Sequence, residues 1–212
     1  MIEILFENDD LVVCIKPVGV NSQNDKSEDM VKLLSLQINT QIFPVHRLDT
    51  AVGGIMVFAK NSKTAAILSK QISDGTFKKK YLAVVTGTPL KECDVLEDLL
   101  FKDSSKNKSF VVKRERRGVK KASLQYETLS SVSGFSLVKI LLHTGRTHQI
   151  RVQFASRKMP LVGDGKYGSR DNRCTVALWS HKISFMYKGN EVSFLSNPDF
   201  NKYPWEYFNG KM

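Results

Sequence analysis

The sequence predicts an α+β domain built on a mixed, largely antiparallel sheet with flanking helices. Strand-like segments outnumber helical ones, most connections are short enough to be hairpins, and strand–helix alternation is not sustained. The last point argues against a doubly wound parallel fold.

Residues 2–6 and 11–15 read as a hairpin, with Asn8, Asp9 and Asp10 as its turn. Lys16, Pro17, Val18 and Gly19 then break the strand. Residues 27–37 form a short helix, because Glu28 and Asp29 favour its positive end and Met30, Leu33 and Leu34 make one apolar face. Residues 54–60 are a short buried strand. Residues 62–73 are a helix, capped by Asn61 or Ser62, with Ala65, Leu68 and Ile72 on one side. Residues 80–86 are a strand ending at Gly87. Residues 109–112 and 122–129 read as strands flanking a basic segment. Residues 135–142 are apolar on both faces apart from Lys139, as a central strand requires. A turn through Thr144, Gly145, Arg146 and Thr147 leads into a helix over about 148–157. Two more strands follow at 176–185 and 191–195. Tyr203, Trp205, Tyr207 and Phe208 give an aromatic tail, expected to pin the C-terminus to the body. No repeat or linker divides the 212 residues, so a single domain over 1–212 is expected.

Composition excludes several classes. At 42% hydrophobic and 25% charged, the chain is not disordered throughout, and no apolar run reaches the ~18 residues a spanning helix needs. The start, Met1 to Glu7, lacks the basic and apolar stretches of a signal peptide, so a cytoplasmic location is expected. Cys14, Cys93 and Cys174 make no metal or disulfide pattern, and His46, His143, His148 and His181 lack metal-site spacing. No phosphate-loop or dinucleotide fingerprint is present, and neither a cofactor nor a metal is expected.

The net charge is +11. Residues 102–121 hold much of it, with nine lysines and arginines against Asp103 and Glu115. So one-signed a segment repels itself unless it meets an anion, which favours a projecting hairpin or loop that contacts nucleic acid over a merely solvated surface loop.

Three places carry potential chemistry. Asp49 follows His46, Arg47 and Leu48 and precedes Gly53 and Gly54, whose missing side chains permit unusual dihedrals and close backbone approach. Asp49 there is either a carboxylate on a cleft floor or an ordinary turn cap. Arg146 and Arg151 lie at a helix start whose backbone N–H groups suit a phosphate; the alternative is a pair of surface ion pairs. Tyr81 follows three lysines at the start of a strand, and is either a base-stacking ring or a core tyrosine.

Together these pieces resemble the RluA-type family of RNA pseudouridine synthases. His46-Arg47-Leu48-Asp49 matches that family's HRLD motif, followed by Gly54 and Ala59-Lys60-Asn61. The stretch 79–87 is similar to the second motif, and 144–152, with 160–164 and Tyr167-Gly168, to the third. Lys16-Pro17 and Gly19 fit the opening KPxG. The resemblance covers about residues 7–186. Its departures are Val52-Gly53 where the family has Thr-Ser, Gln153 where it has His, and Leu178-Trp179-Ser180 where it tends to Leu-His-Ala.

The resemblance implies the pseudouridine synthase fold with a central active-site cleft, and isomerisation of uridine to pseudouridine in structured RNA. It makes Asp49 the catalytic carboxylate, acting as nucleophile or base and in either case ionised. Arg151 would be the cation that favours its charge, an effect reaching ~4–6 Å. Tyr81 would stack on the uracil, Arg47 would fill the space of the displaced base or hold its phosphate, Arg146 would contact phosphate, and Leu178 would line the base pocket or belong to the core. The expected partner is transfer or ribosomal RNA, with no membrane, no obligate protein partner and a monomeric state. Larger relatives carry an S4-type module, for which no room is expected before Lys16. Two other readings remain: a non-catalytic RNA-binding descendant, and a retaining glycosidase pairing Asp49 with Asp164 at ~5–5.5 Å.

Overall fold

A computed structural model of the protein describes residues 1–23 and 28–211. Eleven strands and three α-helices are found among the described residues, an α+β fold with a mixed sheet. The chain divides into two compact units, Met1–Lys79 with Trp179–Pro198, and Lys80–Leu178 with Asp199–Met212.

The first unit opens with the expected hairpin, β1 (Ile4–Glu7) and β2 (Leu11–Lys16). Its turn forms because the Asn8 side chain accepts N–H bonds from Asp10 at 2.9 Å and Leu11 at 3.0 Å. Helix α1 (Met30–Ile38) is capped by Asp29, whose carboxylate accepts the Lys32 N–H. It begins later than the sequence suggests, and Ser27 lies outside the described residues. A two-residue strand β3 (Phe43–Pro44) precedes β4 (Gly53–Ala59), which is buried along its whole length. Helix α2 (Ser62–Ser73) has Asn61 as its cap, one of the two candidates the sequence offers.

Strand β5 (Lys78–Thr86) carries the chain into the second unit. There β6 (Cys93–Asp103), β7 (Lys108–Val112), β8 (Val119–Val132) and β9 (Phe135–Leu142) follow. Helix α3 (Gln149–Ser156) follows a tight turn. Strand β10 (Leu178–Tyr187) returns the chain to the first unit and pairs with β11 (Asn190–Leu195).

In the first unit the order is β1-β2-β4-β10, with β11 beside β10 and β3 beside β4. The β4–β10 pair is parallel, whereas β1–β2, β2–β4, β3–β4 and β10–β11 are antiparallel. Its core gathers Leu11, Val13, Ile15, Val57, Leu68 and Phe185, with Phe77 stacked on Phe185 at 5.2 Å between ring centres. In the second unit the order is β5-β9-β8-β6-β7, which makes β9 an interior strand flanked on both sides, as its apolar sequence demands. The tail is pinned as expected: Trp205 and Phe208 are buried, and Tyr203 and Tyr207 pack on Phe135.

Candidate active site

In the first unit the chain around Asp49 is fixed by its backbone. Ser22 bonds both main-chain groups of Leu48, accepting its N–H at 2.9 Å and donating to its carbonyl at 2.8 Å. The Asp49 carbonyl accepts the Val52 N–H at 3.0 Å, closing a turn, and the Thr50 carbonyl accepts the Gly19 N–H at 2.8 Å. Gly54 leaves that turn at φ +113°, a region side chains avoid, and a Cβ there would lie 2.4 Å from the Ser180 carbonyl oxygen. This glycine therefore serves both purposes expected of it, the unusual dihedral and the close approach. Asp49 is half-buried and Arg47 is exposed.

Lys16 joins this structure although the sequence marks it only as part of an opening motif. It is fully buried, and its ammonium donates to the carbonyls of Pro17 at 2.8 Å, Val20 at 2.6 Å and Thr50 at 3.3 Å. The last of these ties the end of β2 to the Asp49 turn. Burial lowers its pKa to about 8, against the opposing influence of the Asp49 charge. His46, also buried, accepts the Val57 N–H on Nε2 at 3.1 Å, so the imidazole is held neutral. Burial, reinforced by the charge of Lys79, takes its pKa down to about 3.

The second unit holds Tyr81, Arg146, Arg151 and Leu178. Tyr81 and Leu178, each 5% exposed, lie on β5 and at the head of β10. The turn before α3 is organised by Gln149: its carbonyl oxygen accepts from Thr144 Oγ1 at 2.7 Å and from the Arg146 N–H at 3.0 Å. One of the backbone donors expected to meet a phosphate is thus already bonded to Gln149. Arg146 is exposed, with its Nε donating to the Lys121 carbonyl at 3.0 Å.

Arg151 is buried and makes a two-pronged pair with Asp164, Nε to Oδ2 at 2.7 Å and Nη2 to Oδ1 at 2.8 Å. The pair is buried, unlike the surface ion pair weighed from the sequence. Both oxygens of Asp164 accept from the guanidinium, so this carboxylate is engaged in holding Arg151. The Tyr167 ring lies 5.2 Å from the guanidinium centre. Its hydroxyl accepts the Ser109 N–H at 2.8 Å and meets His148 Nδ1 at 2.9 Å. The sequence marks neither Asp164 nor Tyr167 for such a role, although both fall within the third motif.

The basic segment is a hairpin. β6 and β7 pair from Leu99 with Val112 to Asp103 with Lys108, and the chain from Lys113 to Gly118 returns to β8. Lys102, Lys106, Arg114, Arg117 and Lys120 are exposed. Gln153, one of the departures expected from the motifs, donates to Asp98 Oδ2 at 2.7 Å and to the Leu96 carbonyl at 3.1 Å, tying α3 to β6. Among the described residues no group of three or more His, Cys, Asp or Glu is placed to hold a metal ion.

The human protein named RNA pseudouridylate synthase domain containing 4 has the same fold, with a TM-score of 0.77 at 22% identity over 93% of this chain and 89% of that one. The ribosomal large subunit pseudouridine synthase D of Borreliella burgdorferi is 33% identical over 198 residues, which is 86% of this chain and 60% of that protein. The tRNA pseudouridine synthase C of Haemophilus ducreyi is 32% identical over 182 residues, 79% of this chain and 74% of that protein. The RNA pseudouridylate synthase family matches residues 10–156, a span that holds both the Asp49 turn and Arg151. The chain belongs to that family, whose members are isomerases acting on uridine in RNA.

Proposed function

We propose that the chain is a monomeric, cytoplasmic enzyme, a single catalytic domain over 1–212, that isomerises uridine to pseudouridine in structured transfer or ribosomal RNA. The observation that carries this reading is the Asp49 turn. It lies within the matched family span, and Ser22, Lys16, Gly19 and Gly54 hold its backbone. A carboxylate on so fixed a turn meets the positional demand of catalysis.

In this reading Asp49 acts on the ribose as nucleophile or base. The bond from ribose C1′ to uracil N1 breaks, the base turns over, and C1′ bonds to C5. The C5 proton leaves and N1 gains one, so the product is an isomer. Arg151, oriented by Asp164, is the guanidinium of the site, and Tyr81 stacks on the uracil. Arg47 takes the place or phosphate of the flipped base, Arg146 meets phosphate, and Leu178 lines the base pocket. Flipping costs a few kcal/mol, least for a loop uridine already unstacked. The exposed cations of the β6–β7 hairpin offset it by phosphate contact.

The test is Asp49→Asn, assayed by chemical labelling of pseudouridine in RNA incubated with the protein. Conversion falls by at least ~10³-fold while RNA affinity stays within about threefold, a loss typical of removing a group that acts only in the transition state. Ordinary turnover by Asp49→Asn would overturn the assignment. Absence of any conversion by the native chain would favour a non-catalytic RNA-binding protein.

A further inference from the structure

The β6–β7 hairpin has two faces of different character. Leu100 of β6 and Ala122 of β8 turn inward to a cluster with Val152 and Tyr167. Phe101 and Phe110 are direct cross-strand partners, and Phe101 also faces Val119 on β8. Alternation along each strand puts the two phenylalanines together on the face opposite Leu100. Phe110 is 37% exposed there, on β7, the strand that ends the order of its unit.

Single apolar residues on a surface need no explanation. This pair differs in its surroundings. The Arg116 guanidinium centre lies 4.7 Å from the Phe101 ring centre, and the Lys108 ammonium lies between two rings, 5.8 Å from the centre of Phe110 and 5.1 Å from that of Tyr167. Lys113 and Lys121 are exposed nearby in the chain. The two acids of the segment are engaged, Asp103 with Ser105 and the Lys106 N–H, and Glu115 with Lys121 at 3.6 Å. An open aromatic ring bordered by cations matches an unpaired nucleotide, which offers a flat base and a phosphate side by side. A duplex keeps its base faces stacked inside and offers the ring nothing.

We propose that Phe110, backed by Phe101, is a stacking site for one unpaired nucleobase, with Lys108 and Arg116 on the adjoining phosphates. The proposal rests on the reading that RNA is the substrate, and it adds a second base-binding position, on the hairpin. It makes single-stranded or loop RNA the preferred ligand of this surface.

The test uses a short, fluorescently labelled RNA of adenosine and cytidine, which contains no uridine and cannot be isomerised. Binding is followed by anisotropy across a salt series. Phe110→Ala weakens it by ~5- to 100-fold, the usual worth of one base–aromatic stack, with the salt slope unchanged. Phe110→Trp binds within about twofold of the native chain, since the indole stacks equally well. The same RNA lacking its bases binds the native chain no better than it binds Phe110→Ala. Native-like affinity in Phe110→Ala, equal affinity for the base-free RNA, or no measurable binding by the native chain would overturn the proposal. Pseudouridine formation is measured separately on the same proteins. A native chain that binds through Phe110 yet forms no pseudouridine defeats the proposed reaction alone. One that forms pseudouridine and binds without need of Phe110 defeats the stacking site alone.

Discussion

The ring of Trp179 fills the space into which any side chain at Gly53 would project. A Cβ on Gly53 would sit 2.4 Å from Trp179 Cζ3 and 2.9 Å from Cε3. The two residues are paired across β4 and β10. Both are among the departures expected from the motifs, and the structure links them: the large ring is tolerated because the facing residue has no side chain.

Gly53→Ser therefore destabilises the protein by ~1–3 kcal/mol, the usual cost of overpacking a filled site. Trp179→His alone leaves a gap. The double substitution recovers stability beyond the sum of the singles, with a coupling of ~1 kcal/mol or more. Urea denaturation of the four proteins measures this, and additive effects would show that the residues do not depend on each other.

Removing Asp164 leaves the Arg151 guanidinium buried without its two acceptors. Asp164→Ala is expected to cost ~3–5 kcal/mol, as when one partner of a buried ion pair is deleted. Asp164→Asn, which keeps shape and one acceptor, costs less stability yet still lowers the rate of conversion, because the guanidinium loses its two-pronged hold. Denaturation curves and single-turnover rates on the two variants separate these effects.

His46 makes stability depend on acid. Its folded pKa, about 3, lies below the ordinary 6.5, so between those values the unfolded chain binds a proton that the folded chain refuses. Stability from this residue is complete above pH ~6.5 and is lost as pH falls, by ~1.4 kcal/mol per pH unit. Comparing the native chain with His46→Gln between pH ~7 and ~5 isolates the effect from the carboxylates. A stability gap that stays constant with pH would contradict it.

Neutralising Arg114, Arg116 and Arg117 together should weaken RNA binding and flatten its salt dependence. Each phosphate that the variant no longer neutralises takes ~0.7 from the slope of log affinity against log salt on single strands. An unchanged slope would mean that these arginines do not touch the backbone.

Sequence logic succeeds where the deciding forces are local. The helix 62–73 is legible to the residue, because its Asn61 cap and apolar spacing lie within the segment itself. The strand 135–142 follows from an apolar run that only a central position tolerates. Strand β6 escapes such reasoning. Its buried Leu96 and Leu100 stand four apart, a spacing that fits one face of a helix as well as of a strand, with Asp94, Glu97 and Asp98 interrupting the alternation, and only pairing with β7 and β8 fixes it as a strand. The candidate site shows the same division. Asp49, Tyr81 and Arg151 stand out by motif, whereas the carbonyl cage of Lys16, the grip of Asp164 and the Gly53–Trp179 fit exist only once distant segments meet.

Tyr167 shows what such a meeting does. Its one hydroxyl holds the Ser109 N–H of edge strand β7 and the His148 ring at the mouth of α3, while its ring lies beneath Arg151. Ser109 Oγ, bonded to the Thr147 carbonyl at 2.7 Å, doubles the fastening. These bonds tie edge strand β7 to the first turn of the helix that carries Arg151, so any load placed on the hairpin is borne by that turn.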